Sequence, residues 1–403
     1  MSAETRRQRY LIMKGVSATI LFCAIIWMTI FIRQTILKRQ FRLLINQNRL
    51  VESIEVAGKL AWYHPSDINL ALIRADLCIQ LKENRRAAEI LNQLSADATD
   101  SILDNFKIGV RMHKLYMYDS ALKRLQFVVE RDPQHLEAHR LITGIFGIQR
   151  RANDQQIALW KWQSSGIGSI EPLRLLAQSD VIIPPGTIPK TLDEGFVLEE
   201  ILKVEPNSTP SISALAYFYR NRGDLARVSR LLDEALKSQP DASALLTEKL
   251  ATLIDSGDLD ATEQLLQRLK ASIPSSPRLL ELRADHYRNK GDYRTAKENY
   301  EDAIKLNENS PIICFRLAEC YRLTGHDSER EIYQEKCRLL KTLAELAAAV
   351  DFKSPDPMIM LDIAKVCMKL DRTRESKAWA REVIRISPQN QEAKAIFSGE
   401  SRN

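Results

Sequence analysis

Residues 287–307 read YRNKGDYRTAKENYEDAIKLN, and residues 219–239 read YRNRGDLARVSRLLDEALKSQ. Both open with Tyr-Arg-Asn, a basic residue and Gly-Asp. Both then place an acidic residue, Ala, an aliphatic residue and Lys at the same offset. The two stretches lie 68 residues apart, twice 34. Self-similarity at such a period marks a stacked array, because one small helical unit cannot bury its apolar face alone and must bury it against a neighbour. Gly (14) and Pro (15) are scarce among the 403 residues, while Ala, Leu, Glu, Lys and Arg abound, so the recurring unit is helical.

Numbering one repeat 1–34 from Pro277 puts Ala284 at 8, Tyr287 at 11, Gly291 at 15, Ala296 at 20, Tyr300 at 24 and Ala303 at 27. Stepping back by 34 to Ser243 places Gly257 at 15 and Pro274 at 32. A further step to Thr209 places Ala216, Tyr219, Gly223, Leu232, Ala235 and Pro240 at 8, 11, 15, 24, 27 and 32. Stepping forward to Pro311 gives Leu317, Ala318, Tyr321 and Gly325 in a matching first helix. Small residues at 8 and 20 let two helices approach closely, and Gly at 15 turns the chain between them. This pattern resembles the tetratricopeptide repeat, a 34-residue helix-turn-helix. The resemblance is sharp over 209–325 and degenerate elsewhere. Weaker frames start at Gln34, Ile68, Ile102, Leu136, Leu175 and Pro357. The expected fold is all-α: an α-solenoid of tetratricopeptide-type pairs preceded by one transmembrane helix.

The frame slips twice. It gains five residues between Leu136 and Leu175, where VIIPPGTIPK (181–190) cannot be continuous helix. It gains 12 before Pro357, where residues 328–350 suggest one overlong helix. The expected organisation is therefore a basic tail (1–14), a transmembrane helix (15–32), degenerate repeats (34–163) and an irregular insert with a partial repeat (164–208). Clear repeats (209–344) and a last repeat with a capping helix (345–403) follow.

The net charge of +6 is unevenly spread. Residues 1–50 hold nine Lys/Arg and one Glu, whereas the remaining 353 residues hold 49 Lys/Arg against 51 Asp/Glu. The body therefore lacks the basic excess that nucleic-acid binding requires. The N-terminus instead reads as an anchor. GVSATILFCAIIWMTIFI (15–32) is 18 residues without a charge, bounded by Lys14 and Arg33. A helix of that length spans about 27 Å, close to a hydrocarbon core. No small-x-small cleavage site follows, so it is read as an uncleaved anchor. Basic residues flank it almost equally, with a lean towards a bacterial inner-membrane protein whose body lies outside the cytoplasm.

No phosphate loop, GxGxxG, HExxH or GxSxG is present. The cysteines at 23, 78, 314, 320, 337 and 367 form no CxxC pair and read as core residues. His135 and His139 are four apart but have no third ligand nearby, so no metal is expected. Of Trp160 and Trp162, one is expected in the core and one exposed. The insert lacks a nucleophile–base pair. The chain is thus read as non-catalytic and without a cofactor.

The resemblance further implies that the first helix of each repeat lines a concave groove. Tyr217, Arg220, Asn221, Asp285, Arg288, Asn289, Phe315 and Arg322 would then face a protein or peptide partner. Three arginines on one face suit a carboxylate or an acidic peptide, and asparagines suit a peptide backbone. The bland alternative pairs those arginines with Glu and Asp of neighbouring repeats. Chaperone-binding members of the family use a Lys and Asn clamp that these residues do not reproduce. The functional expectation is a membrane-anchored scaffold or adaptor, the alternative an assembly factor for envelope polysaccharide or lipid.

Overall fold

The computed structural model describes residues 3–94, 99–167, 170–178, 183, 187–188, 191–272, 276–307, 309–351 and 353–399, with side chains from residue 24 onward except 270–272. Every regular element among them is an α-helix. The chain forms two compact bodies, 1–115 and 116–403.

The N-terminal body contains α1 (Ala3–Asn46), α2 (Leu50–Tyr63), α3 (Ile68–Gln80), α4 (Asn84–Asn92) and α5 (Ile102–Lys114). Its long first helix has two characters. Leu37 and Leu44, with Phe41 between them, recur on one face and pack with Val56, Ala57, Leu60 and Leu70. Upstream, Ile25, Trp27, Met28, Phe31 and Ile32 stand exposed, Trp27 by 73%. The expected transmembrane segment lies inside this helix, but the side chains of 15–23 fall outside the described residues. Over the described residues no helix is long and apolar enough to cross a membrane. The backbone of α1 passes through positions 14 and 33 without a break.

In the C-terminal body, α6 (Tyr118–Arg131), α7 (Leu136–Ile148), α8 (Ala152–Ser164), α9 (Ile170–Leu176) and α10 (Glu194–Val204) precede four regular pairs. These are α11 (Thr209–Asn221) with α12 (Leu225–Ser238), α13 (Ser243–Ser256) with α14 (Leu259–Ser272), α15 (Pro277–Asn289) with α16 (Tyr293–Leu306), and α17 (Pro311–Leu323) with α18 (Asp327–Ala349). The chain ends with α19 (Pro357–Lys369), α20 (Thr373–Ile386) and α21 (Gln391–Ser398). The first helices of the regular pairs start at the residues that the periodicity puts at position 1. The overlong helix expected at 328–350 is α18, 23 residues long.

One backbone conformation recurs at position 15. Gly223, Gly257, Gly291 and Gly325 have φ between 74° and 80°. In the degenerate frames the same position is filled by Asn48, Lys82, Tyr116, Arg150 and Asp371, the non-glycine residues with positive φ among those described. Position 16 then closes the turn with its backbone N–H on the carbonyl of position 11, as in Asp224 to Tyr219 (3.0 Å), Asp292 to Tyr287 (2.9 Å), Glu83 to Cys78 (2.9 Å) and Arg372 to Cys367 (2.9 Å). Gly-Asp in the repeated motif therefore has a mechanical meaning. Glycine takes the left-handed turn, and the Asp224 and Asp292 carboxylates accept the N–H of Arg227 and Thr295 to cap the second helix. Positions 8 and 20 are the close approach: Ala75 and Ala87, Ala216 and Val228, and Ala284 and Ala296 are fully buried. Where position 20 is polar, its side chain bonds the position-8 carbonyl, as Gln155 does to Thr143 (3.0 Å) and Ser376 to Ala364 (2.8 Å).

The insert changes the path of the C-terminal body. The first helix of the Leu175 frame is interrupted, as the prolines of 181–190 require: α9 ends at Leu176, and the next helix among the described residues is α10. Most of 181–190 lies outside the described residues. Instead, Ile170, Leu173 and Leu176 share one core with Leu339, Leu343 and Ala347 of α18 and Trp379 and Val383 of α20. The Arg372 guanidinium, buried before α20 and paired with Glu375, donates to the Leu176 carbonyl at 2.8 Å, across 196 residues of sequence. Arg374 lies 3.7 Å from the centroid of the Trp160 ring. With α9 withdrawn, the end of α7 meets α11 directly. Gln149 bonds Ser211 at 3.1 Å, and Arg150 covers the Tyr217 ring at 3.7 Å. Glu205 holds the first turn of α6 through the Asp119 and Ser120 backbone N–H groups, at 2.9 and 3.1 Å.

Two outcomes follow for stability. A Cβ at Gly291 meets nothing within 4 Å, so Gly291→Ala isolates the cost of the positive φ, about 1 kcal/mol in chemical denaturation. Lys82→Gly should escape the ~1 kcal/mol that glycine costs inside an ordinary helix, because it relieves the same conformation. Equal losses in both would contradict the assignment of position 15. Arg372→Ala leaves Glu375 buried without its partner and should cost about 3 kcal/mol or more; a neutral result would mean the contact with Leu176 contributes nothing.

Candidate functional site

The candidate site is the face that α11, α13, α15 and α17 present side by side. Each is a first helix held by the position-8 contact behind it, so its outward residues repeat at positions 2, 5, 9, 12 and 13. Ion pairs join α11 to α13 and α15 to α17, and others lie within α15. The Arg220 guanidinium contacts Asp255 at 2.7 Å and Glu248 at 3.5 Å. Arg278 pairs with Glu281 at 2.9 Å, and Arg316 reaches Glu281 at 2.9 Å and Asp285 at 2.6 Å. Arg288 lies 3.9 Å from Asp285 and 3.7 Å from Glu319. Four of these five pairs between repeats are spaced 35 or 31 residues, as in Arg220–Asp255 and Arg316–Asp285, and Arg220–Glu248 is spaced 28. The separations of 35 and 31 are one repeat plus one residue and one repeat minus three, and they differ by about one helical turn. The N-terminal body uses the same device: Arg111 makes two bonds to Asp76, at 2.7 and 2.5 Å, also 35 residues apart.

Burial sets the electrostatics. It pushes the carboxyl of Glu248 up from its ordinary pKa, opposed by Arg220 and Arg278. It does the same to Asp285, opposed by Arg316. Asp285 also accepts the Tyr300 hydroxyl, whose own pKa burial raises. These charges hold one another in place and are not open to a ligand.

The eight expected groove residues divide evenly. Asp285 is buried, Arg220 is committed to Glu248 and Asp255, and Arg288 is shared between two carboxylates. Tyr217 lies half-buried beneath Arg150 and beside Arg220. Asn221, Asn289, Phe315 and Arg322 are exposed. Three free arginines are thus not available for one acidic ligand: the pairing with neighbouring repeats prevails at Arg220 and Arg288. Glu248, Arg278, Glu281 and Arg316 were missed by the sequence reading. For Glu281 and Arg316 the signal was opposite charges on first helices at separations of 31 and 35. Glu248 pairs at 28 and Arg278 within its own helix, where those separations give no signal.

Other residues singled out take structural places. His135 caps α7, its Nδ1 accepting the Ala138 N–H at 3.3 Å. Buried His139 donates through Nε2 to the Pro133 carbonyl at 2.8 Å and stacks on Trp162. Trp162 is fully buried, while Trp160 is half-covered by Arg374 and not exposed as expected. Burial pushes the thiols of Cys314 and Cys320 up to about 11 and that of Cys367 to about 12, which keeps them protonated and poor nucleophiles at neutral pH.

The division of the face has a measurable consequence. Arg220→Met strands Glu248 in a buried position and should lower stability by about 3 kcal/mol. Arg322→Met should stay within about 0.5 kcal/mol of the parent. Denaturant midpoints that fall equally would refute the division into committed and free arginines.

Comparison with known proteins agrees with the repeat reading. Residues 277–310 match the family model described as tetratricopeptide repeat. No curated protein is significantly similar to the chain. A tetratricopeptide repeat protein from Parabacteroides merdae is 12% identical over 71% of this chain and 98% of its own, with a TM-score of 0.31. A thermophilic protein of the same repeat type from Thermus thermophilus is 16% identical over 48% of this chain and 98% of its own, at 0.30. Pseudomonas aeruginosa pilF is 18% identical over 51% of this chain and 88% of its own, at 0.29. Likenesses this distant bear no argument about function. The chain is a helical-repeat protein that carries a tetratricopeptide repeat at residues 277–310.

Proposed function

We propose that this protein is a non-catalytic scaffold or adaptor that captures a protein or peptide partner on the first-helix face of its clear repeats. The observation that carries the reading is the set of side chains left over once the ion pairs are counted. Asn221, Asn289, Phe315 and Arg322 are exposed on the first helices α11, α15 and α17, and among the described residues no side-chain hydrogen bond or ion pair holds them. Their chemistry suits a polypeptide: amide groups for backbone N–H and C=O, one aromatic ring, and one guanidinium.

The reading extends to anchoring at a membrane through residues 15–32, with the body on the far side of a bacterial inner membrane. Its support is the uncovered apolar surface of α1 at Ile25, Trp27, Phe31 and Ile32, which sits next to Arg33. In washed membranes the full chain should sediment, and a version starting after residue 33 should stay in the supernatant. Protease added to spheroplasts should digest the body.

Partner capture is tested from solubilised native membranes with the intact protein and the double variant Asn289→Ala, Arg322→Glu side by side. Both changed residues lie outside the ion-pair ladder, so the melting temperature should hold. A partner lost selectively from the variant is the expected result. Identical capture by both would place binding elsewhere on the molecule.

A further inference from the structure

Helix α17 differs from its neighbours in what its outward stripe carries. Successive residues turn by about 100°, so Ile312, Phe315, Glu319, Arg322 and Leu323 fall on one side. Phe315 is 64% exposed, Ile312 46% and Leu323 41%. The corresponding stripe of α15 is Arg278, Glu281, Asp285, Arg288 and Asn289, of which the first four are charged and form the pairs Arg278–Glu281 and Arg288–Asp285. The ladder reaches only one edge of α17, where Arg316 bonds Glu281 and Asp285 and Glu319 meets Arg288. Phe315 and Arg322 share the opposite edge, two turns apart. Arg322, alone among the three arginines that recur at position 12, has no side-chain ion pair, hydrogen bond or ring contact among the described residues.

We propose that this edge recognises an extended segment of a partner protein bearing an aliphatic or aromatic side chain and, three residues away, an aspartate or glutamate. The inference rests on the partner-binding reading of the first-helix face and names the chemistry of that partner. Spacing sets the motif. Phe315 and Arg322 are seven helical residues apart, a rise of about 10 Å. Three residues of a polyproline-II segment cover about 9 Å and bring both side chains to one side, where a β-strand would point them to opposite faces. The apolar side chain packs on Phe315 and Ile312. The carboxylate takes the guanidinium in a charge-assisted pair, the one such partner the ladder does not already supply. Glu319 lies between the two anchors and makes the stripe a poor fit for a lipid surface, because covering it with hydrocarbon would bury a carboxylate.

The test uses the full-length protein and a fluorescein-labelled, amidated peptide with one Leu and one Glu three residues apart in a Gly/Ser background. Comparison peptides replace Glu by Gln or Leu by Ser, and the protein variants are Arg322→Gln and Phe315→Ser. Fluorescence anisotropy should show saturable binding. The Gln peptide and the Arg322→Gln variant should each weaken it about tenfold, with no further loss when combined. Phe315→Ser should weaken binding of the Leu peptide about as much and leave the Ser peptide unaffected. Unchanged melting temperatures exclude unfolding, since both residues are exposed. No saturable binding at millimolar peptide, equal affinity for the Glu and Gln peptides, or an unaffected Arg322→Gln variant would each overturn the inference. If the peptide fails while the membrane pull-down still loses its partner in the double variant, the face binds a partner of other chemistry. If both fail, the partner-binding reading falls with it.

Discussion

Everything in the array depends on a left-handed residue at position 15 of each helical pair. That single positive φ reverses the chain within three residues and lets positions 8 and 20 meet at alanine distance. It thereby fixes which side of each first helix faces outward. Once the orientation is fixed, a pitch of 34 residues sets the spacing of charges between repeats, and the separations of 31 and 35 follow from helix geometry alone. The conformation is kept even where glycine is lost. Asn48, Lys82, Tyr116, Arg150 and Asp371 adopt it despite the steric cost to an L-residue. Packing of the two helices must therefore outweigh that strain in each degenerate pair.

Ion pairing and the proposed partner binding draw on the same face. Opposite charges at the interlocking separations neutralise one another between adjoining first helices and stiffen the row, which removes most of its arginines from use. The alternation of charges stops at α17. There apolar side chains replace the charged ones, and Arg322 finds no carboxylate.

Much of this was legible in the sequence. Thr209, Ser243, Pro277 and Pro311 were readable as helix starts because the 34-residue frame repeats and a glycine, followed by Asp in three of the four, marks the turn before each second helix. The long α18 was visible from its uninterrupted helix formers and the prolines after it. The degenerate turns were harder to see, because Lys82 or Tyr116 carries no local signal for positive φ. Asp285 looked available because position 9 faces outward, but its bonds to Tyr300 and Arg316 depend on two other helices. The docking of α9 was not legible at all. It joins Leu176 to Arg372 across most of the C-terminal body, and no periodicity encodes a contact at that separation.

That contact sets the C-terminal body apart from an ordinary solenoid, in which each repeat touches only its neighbours and stability adds up locally. Withdrawing α9 from the row brings α7 against α11 and ties the middle of the chain to its last repeat, so the segments should open together. Native-state hydrogen exchange on the full-length protein tests this most directly. The amides of residues 170–176 and those of 373–386 should share one opening free energy and the same denaturant dependence. Rapid exchange at 170–176 while 373–386 stays protected would show an open, nearest-neighbour array and contradict the account.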